Sequence, residues 1–304
     1  MFSRLSLSCT FAILLLSAGY LYSQNQALSD SLKEAKLRSD FDSLRNIPSD
    51  DAKRVYNGFV LEDMIQLLKD STSYMLNLDS VKNLGKVSSP DNSFRILNWN
   101  LSFNDFTYAY YTFIQFNPQG KFGYKVVQLK EQRGTVDTSI ESKQFTKDNW
   151  YGALIYKIIS TSYRQHDYYT LLAIDYNNLM SQFKFIDVLT FDKSGNPLFG
   201  APIFKSDKGI KSRILFEYSA QVSIGLRFDD KVKMIVFDHL SPAQPEMTGD
   251  YKFYGPDFSY DAYKFEDGYW VYKPDVSVTN PLQTGPRRRI ITTNSAPAKS
   301  TPGK

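Results

Sequence analysis

One cysteine and two histidines are all that the 304-residue chain has of either type, and this scarcity removes whole classes of chemistry. Cys9 lies in the first apolar run, so the rest of the chain offers no disulfide, no cysteine nucleophile and no thiolate metal site. His166 and His239 are too few for a histidine-rich zinc centre. No Gly-x-Ser-x-Gly elbow occurs, which removes one familiar serine-hydrolase signature. Long hydrophobic runs are also missing: the uninterrupted apolar stretch from Phe11 to Leu16 is too short to span a bilayer comfortably.

A basic body is lacking too, although the formal charge is +4. Beyond Asp275 stand Arg287, Arg288, Arg289, Lys299 and Lys304 with no acid, and Arg4 lies in the first apolar segment. Without these the remainder is slightly acidic, which argues against nucleic acid as a partner.

The N-terminal layout is a lone positive charge at Arg4, an apolar run ending near Leu21 and small residues at Ser17, Gly19 and Ser23. It predicts a secretory signal peptide over residues 1–23, cut after Ser23 with Gly19 as the alternative, and hence export to the periplasm or the extracellular space. Ser6 and Leu7 do not supply the lipoprotein pattern before Cys9. Once cut, the chain is expected not to be an integral membrane protein.

Aromatic residues are abundant, at 15% with 22 Phe and 21 Tyr. Such side chains suit pleated, half-buried surfaces. A helical segment is predicted over residues 24–78. Within it, 30–44 carries Leu32, Leu37, Phe41 and Leu44 at helical spacing, and 49–68 carries an apolar face of Val55, Phe59, Met64, Leu67 and Leu68, with Ser49 or Asp50 as cap. From there to residue 275 the pattern is of short Tyr-, Phe-, Ile- and Val-rich runs separated by turn residues. The clearest runs are 94–103, 107–116, 122–129, 153–161, 168–175, 183–191, 212–218, 222–228 and 232–237, with turns at Asn117–Gly120, Asp192–Asn196 and Asp229–Asp230. The expected fold class is therefore mainly β: an antiparallel meander forming a sandwich or barrel-like domain over 79–275, a small propeller being the remaining alternative. An outer-membrane barrel fits less well, because the turns are short and polar and the chain ends in a polar segment. Residues 276–304, rich in Pro, Ser, Thr and Lys, are expected to form a disordered basic tail.

Chemistry-bearing residues concentrate between Ile235 and Trp270. In Asp238-His239-Leu240-Ser241-Pro242 a histidine stands beside a carboxylate and two residues from a hydroxyl. That invites a nucleophile reading, although triads are assembled from separate elements; the plainer alternative is a strand end beside a Ser-Pro turn. Asp257, Ser259 and Asp261 alternate and could offer oxygens to calcium, yet Ala262 and Gly268 stand where an EF-hand needs Gly and Glu. A Gly-Pro turn leading into a polar edge segment is the default there. The catalytic candidates are thus Asp238, His239, Asp257 and Asp261, and the metal candidates Asp257, Ser259 and Asp261, with calcium the one cofactor left open. Glu246, Glu266 and Asp267 widen the choice of carboxylate pairs for glycoside hydrolysis, but sequence does not fix their separations. The segment after Phe237 is expected to be an aromatic, proline-rich cover on the β domain.

The runs Trp150-Tyr151-Gly152-Ala153-Leu154, Tyr169-Thr170-Leu171-Leu172, Phe199-Gly200-Ala201-Pro202-Ile203-Phe204, Asp238-His239-Leu240-Ser241-Pro242 and Tyr254-Gly255-Pro256-Asp257 resemble a family of uncharacterised exported proteins from Bacteroidota-type bacteria. The resemblance spans roughly Phe94 to Trp270 and implies export and domain extent, without an activity. The expected role is a non-enzymatic binding or structural module of the cell envelope, with an envelope glycan or protein as partner. A hydrolase acting on glycan or peptide is the alternative.

Overall fold

The computed structural model describes residues 29–132 and 136–277. The predicted signal peptide and most of the predicted tail lie outside them. Residues 29–46 form helix α1, and Asp50–Lys69 forms α2, whose N-cap Ser49 accepts from the Ala52 amide at 3.4 Å. The face that α2 buries is Asn57, Val60, Met64, Leu67 and Leu68, while Val55 and Phe59, expected inward, are 64% and 57% exposed. The reason is Asn57: its Oδ1 accepts from the Trp99 indole at 2.9 Å, so a polar residue anchors the apolar stripe.

The first sheet contains β1 (Gly85–Ser88), β2 (Phe94–Ser102), β3 (Tyr108–Phe116) and β4 (Val126–Leu129), paired antiparallel in that order. The second contains β5 (Phe145–Thr146), β6 (Leu154–Tyr163), β7 (His166–Asp175), β8 (Ser181–Phe191) and β9 (Pro197–Phe199), ordered β5-β9-β8-β7-β6. The chain then begins a third sheet with β10 (Phe204–Ser206) and β11 (Gly209–Lys211) and returns to the second with β12 (Arg213–Ser219) against β8. It completes the third with β13 (Leu226–Asp229), β14 (Met234–Pro242), β15 (Tyr254–Glu266) and β16 (Tyr269–Lys273). The order there is β11-β10-β16-β15-β14-β13, antiparallel except for β10 beside β16.

The fold is therefore mainly antiparallel β with an N-terminal helical pair. Its sheets are open and stacked, and they close no barrel among the described residues. Two sheets are buried on both faces. Phe94 and Ile96 of β2 meet Leu171, Phe183 and Phe185 of the second sheet, while Leu97, Trp99 and Leu101 meet Leu37, Phe41, Met64 and Leu68 of the helices. The opposite face of the second sheet, with Leu172, Ile186 and Val188, packs on Ile235, Phe237, Tyr263 and Trp270 of the third. Helices, then three sheets, thus form successive layers separated by three apolar cores.

Three expectations need correction. β14 does not end at Phe237 but runs to Pro242, and residues 254–273 are not a cover: they form β15 and β16, joined by a turn at Asp267 (φ 50°) and Gly268 (φ 85°). Gly255 and Pro256, read as a turn, lie inside β15. A Cβ at Gly268 would come within 2.5 Å of the Tyr163 ring, so this position requires glycine for space as well as for φ. Among the described residues no helix is long and apolar enough to cross a membrane.

Candidate functional site

Register places the site. Phe237 pairs with Asp261 and Asp238 with Tyr260, but the next pair is Leu240 with Pro256. His239 therefore stands alone opposite Asp257, Phe258 and Ser259, and the excess is taken up by a bulge in which Phe258 adopts φ 71°. Asp257 fastens that bulge. Its Oδ1 accepts from the Ser259 hydroxyl at 2.7 Å and the Ser259 amide at 3.1 Å, and its Oδ2 accepts from Ser241 Oγ at 2.8 Å.

On the inner side of the bulge, His239 Nδ1 lies 2.8 Å from Asp261 Oδ2. The same oxygen accepts from the Tyr272 hydroxyl at 2.6 Å, and Oδ1 accepts from the Asp275 amide at 3.1 Å. A carboxylate only accepts, so Nδ1 carries a proton and the ring is oriented with Nε2 outward. The Asp261 side chain is 5% exposed and that of His239 45%, so a buried acid holds a half-exposed ring. Nε2 is 3.9 Å from Asp257 Oδ2, beyond direct hydrogen-bonding range.

These contacts set the titration. The hydrogen bond to Asp261 raises the His239 pKa above its usual value; burial opposes this, and the charges of Asp261, Asp257 and Asp275 add to it. Burial pushes Asp257 upward, but hydrogen bonds from Ser259 and Ser241 and the nearby imidazole outweigh it and hold the acid below its ordinary range. Burial, then the bond to Asp261, raises the Tyr272 hydroxyl.

His239, Asp261 and Tyr272 line a cleft of about 380 Å³ between β12 and the β14–β15 ribbon. Its floor is aromatic: Phe237 lies 4.7 Å from Phe216 and stacks on Tyr263 at 5.7 Å. At the rim Tyr251 and Tyr254 pair at 4.8 Å, and Lys208 and Glu217 supply opposite charges.

Of the sequence candidates, His239, Asp257 and Asp261 come together around one bulge. Asp238 sits at the cleft edge but turns away, its Oδ2 accepting from the Gly225 amide at 2.7 Å in a local β13–β14 clasp. Ser241 is bonded to Asp257 and makes no bond to His239, so no nucleophile–base pair is formed. Asp257 and Ser259 bond to each other while Asp261 faces inward, and no group of three or more potential ligands is placed to hold a metal among the described residues. Glu266 is engaged by Lys264 and Lys273, Glu246 is exposed in a short helical turn, and Asp267 forms the β15–β16 turn. His166 opens β7 opposite Tyr163, away from these residues in sequence and sheet. Tyr272 is the contributor that sequence reasoning missed. The Asp267-Gly268 dipeptide flanked by aromatic runs is a hairpin signal that would have placed Tyr272 beside Tyr263.

Comparison with protein-family models, with curated proteins and with solved structures yields no match for this chain.

Proposed function

We propose that this chain is an exported protein of the bacterial cell envelope that binds a polar, ring-containing ligand, in the first instance a glycan, in the cleft beside His239 without turning it over. The observation that carries the binding reading is the outward, half-exposed His239 Nε2 above an aromatic floor. With Nδ1 held by Asp261, Nε2 points outward, and the raised pKa widens the pH range in which Nε2 carries a proton and donates toward hydroxyl or carbonyl oxygen. Tyr251 and Tyr254 at the rim provide faces against which a sugar ring can pack. The export component rests on Arg4 and the apolar run that follows it.

A second reading, hydrolysis, is favoured by the Asp261–His239 pair, which has the orientation of a carboxylate-supported base. The remaining geometry weakens it. Asp257 is committed to Ser241 and Ser259, Asp261 is committed to His239, Tyr272 and the Asp275 amide, and the raised pKa opposes a free base on Nε2.

The test is a titration of the mature protein with cellobiose and with N,N′-diacetylchitobiose, following the His239 imidazole resonance by NMR and the sugar by chromatography. A saturable shift that Tyr254→Ala abolishes, with the disaccharide intact, is the expected result. Cleavage of either sugar would favour hydrolysis, and an unmoved resonance at saturating sugar would overturn the site.

A further inference from the structure

Glu217 lies at one end of the His239 cleft. A second cleft, about 580 Å³, shares that residue and opens toward the first sheet, lined by Asp105, Leu179, Met180, Ser181, Phe183 and Lys252. Glu217 lines both, and successive residues of one helical turn, Tyr251 and Lys252, line the first and the second respectively. Each volume falls within the range of roughly 300–1,000 Å³ that accommodates a small ligand.

The second cleft has built walls. Asn178 Oδ1 accepts from the Met180 amide at 2.7 Å and the Ser181 amide at 3.1 Å, and Met180 O accepts from Ala220 N at 3.0 Å. This turn holds Leu179 and Met180 outward, 59% and 54% exposed. Ser181 Oγ donates to Glu217 Oε1 at 2.7 Å, fixing the carboxylate at the junction. Apolar side chains beside hydroxyl, amide and carboxylate groups match a ligand whose units each have an apolar face and a polar edge.

Resting on the binding reading above, we propose that the two clefts are consecutive subsites of one groove and that its ligand is an oligosaccharide chain rather than a single sugar or disaccharide. An extended peptide added to the edge of β12 is the competing chemistry, and the edge is poorly suited to it. The Leu215 amide donates to Glu141 Oε1 at 3.1 Å, and the Ser212 amide donates to Glu141 O at 2.8 Å. The main-chain donors at the start of β12 are therefore already occupied, and an added strand would be confined to the short stretch beyond Leu215.

The experiment is calorimetric titration of the mature protein with two ladders, β-1,4-linked glucose and β-1,4-linked N-acetylglucosamine, each from the monosaccharide to the hexasaccharide, with hexa-alanine as the peptide probe. One ladder is expected to gain about tenfold in affinity between the disaccharide and the hexasaccharide and then to level off. In Met180→Asp and in Leu179→Asp, both at exposed positions that leave the cores intact, that gain is lost. Equal affinity for disaccharide and hexasaccharide would overturn the extended groove and leave the His239 cleft standing. Tight hexa-alanine binding with no response to either ladder would overturn the glycan assignment, and no binding of any probe would overturn both proposals.

Discussion

Asp187 and Asp261 are each held by a basic side chain and a tyrosine hydroxyl, yet one arrangement is sealed in a core and the other opens to a cleft. Asp187 Oδ2 accepts from Arg213 Nη2 at 2.7 Å and from the Tyr151 hydroxyl at 2.9 Å, and both charged side chains are 0% exposed. The guanidinium also lies 4.7 Å from the Tyr151 ring centroid and donates to Ile140 O at 2.6 Å. Asp261 has a similar pair of partners in His239 and Tyr272, but its basic partner is 45% exposed. The same chemistry thus ties neighbouring strands of one sheet together where water is excluded, and presents a ring nitrogen where one partner reaches the surface. Accessibility of the basic partner, more than the set of residue types, separates the two arrangements.

The largest expected effect breaks the sealed member. Arg213→Met leaves the Asp187 carboxylate buried without its cation, which should cost about 3–5 kcal/mol. Urea denaturation would show a lowered midpoint with unchanged slope. Adding Asp187→Leu to that variant should recover most of the loss, since two apolar groups replace a buried pair at little net cost. A loss below about 1 kcal/mol in Arg213→Met would show that the pair does not hold β12 on β8.

Protonation distinguishes the open member, and the effect is smaller. The folded state raises the His239 pKa above its unfolded value of about 6.5, chiefly through the bond to Asp261. Its contribution to stability is then fully present below pH ~6.5 and is lost as pH rises through the folded-state pKa. Exposure of the ring limits this to less than about 1 kcal/mol. Urea midpoints compared on either side of this window should fall toward high pH in the wild type, and less so in His239→Gln. Parallel curves for the two proteins would mean that the imidazolium gives no linkage.

The two clusters also differ in how far sequence could reveal them. Strands such as Phe94–Ser102 and Ser181–Phe191 are legible because two-sided burial leaves dense apolar runs, and helix α2 is legible through its period. Its buried face is not, because Asn57 occupies a core position for the sake of the Trp99 indole. β15 escaped because Gly255, Pro256, Asp257 and Asp261 look like punctuation, although they are paired with β14 or belong to its bulge. His239 and Asp261 meet through a register that shifts at one residue, and nothing local in the sequence sets that shift. Arg213 and Asp187 pose the same difficulty: they face each other across directly paired strands that are distant in sequence.

The smallest expected effect sharpens the open member at Phe258, which is 91% exposed with φ 71°. A left-handed backbone costs an ordinary side chain roughly 1–2 kcal/mol, and asparagine tolerates it better. With so little of the ring buried, few contacts offset that strain. Phe258→Asn should therefore raise stability by up to about 1 kcal/mol, read from the urea midpoint. The bulge itself should persist, because Asp257 fastens it through Ser241 and Ser259 rather than through Phe258. Strain kept at an exposed aromatic beside the cleft has a ready use if the ring meets the ligand. A variant that is more stable and binds the glycan ladder less tightly would place Phe258 in the site; one that is more stable with unchanged binding would confine the site to the groove floor. A loss of stability would show instead that the ring has a packing role in the fold.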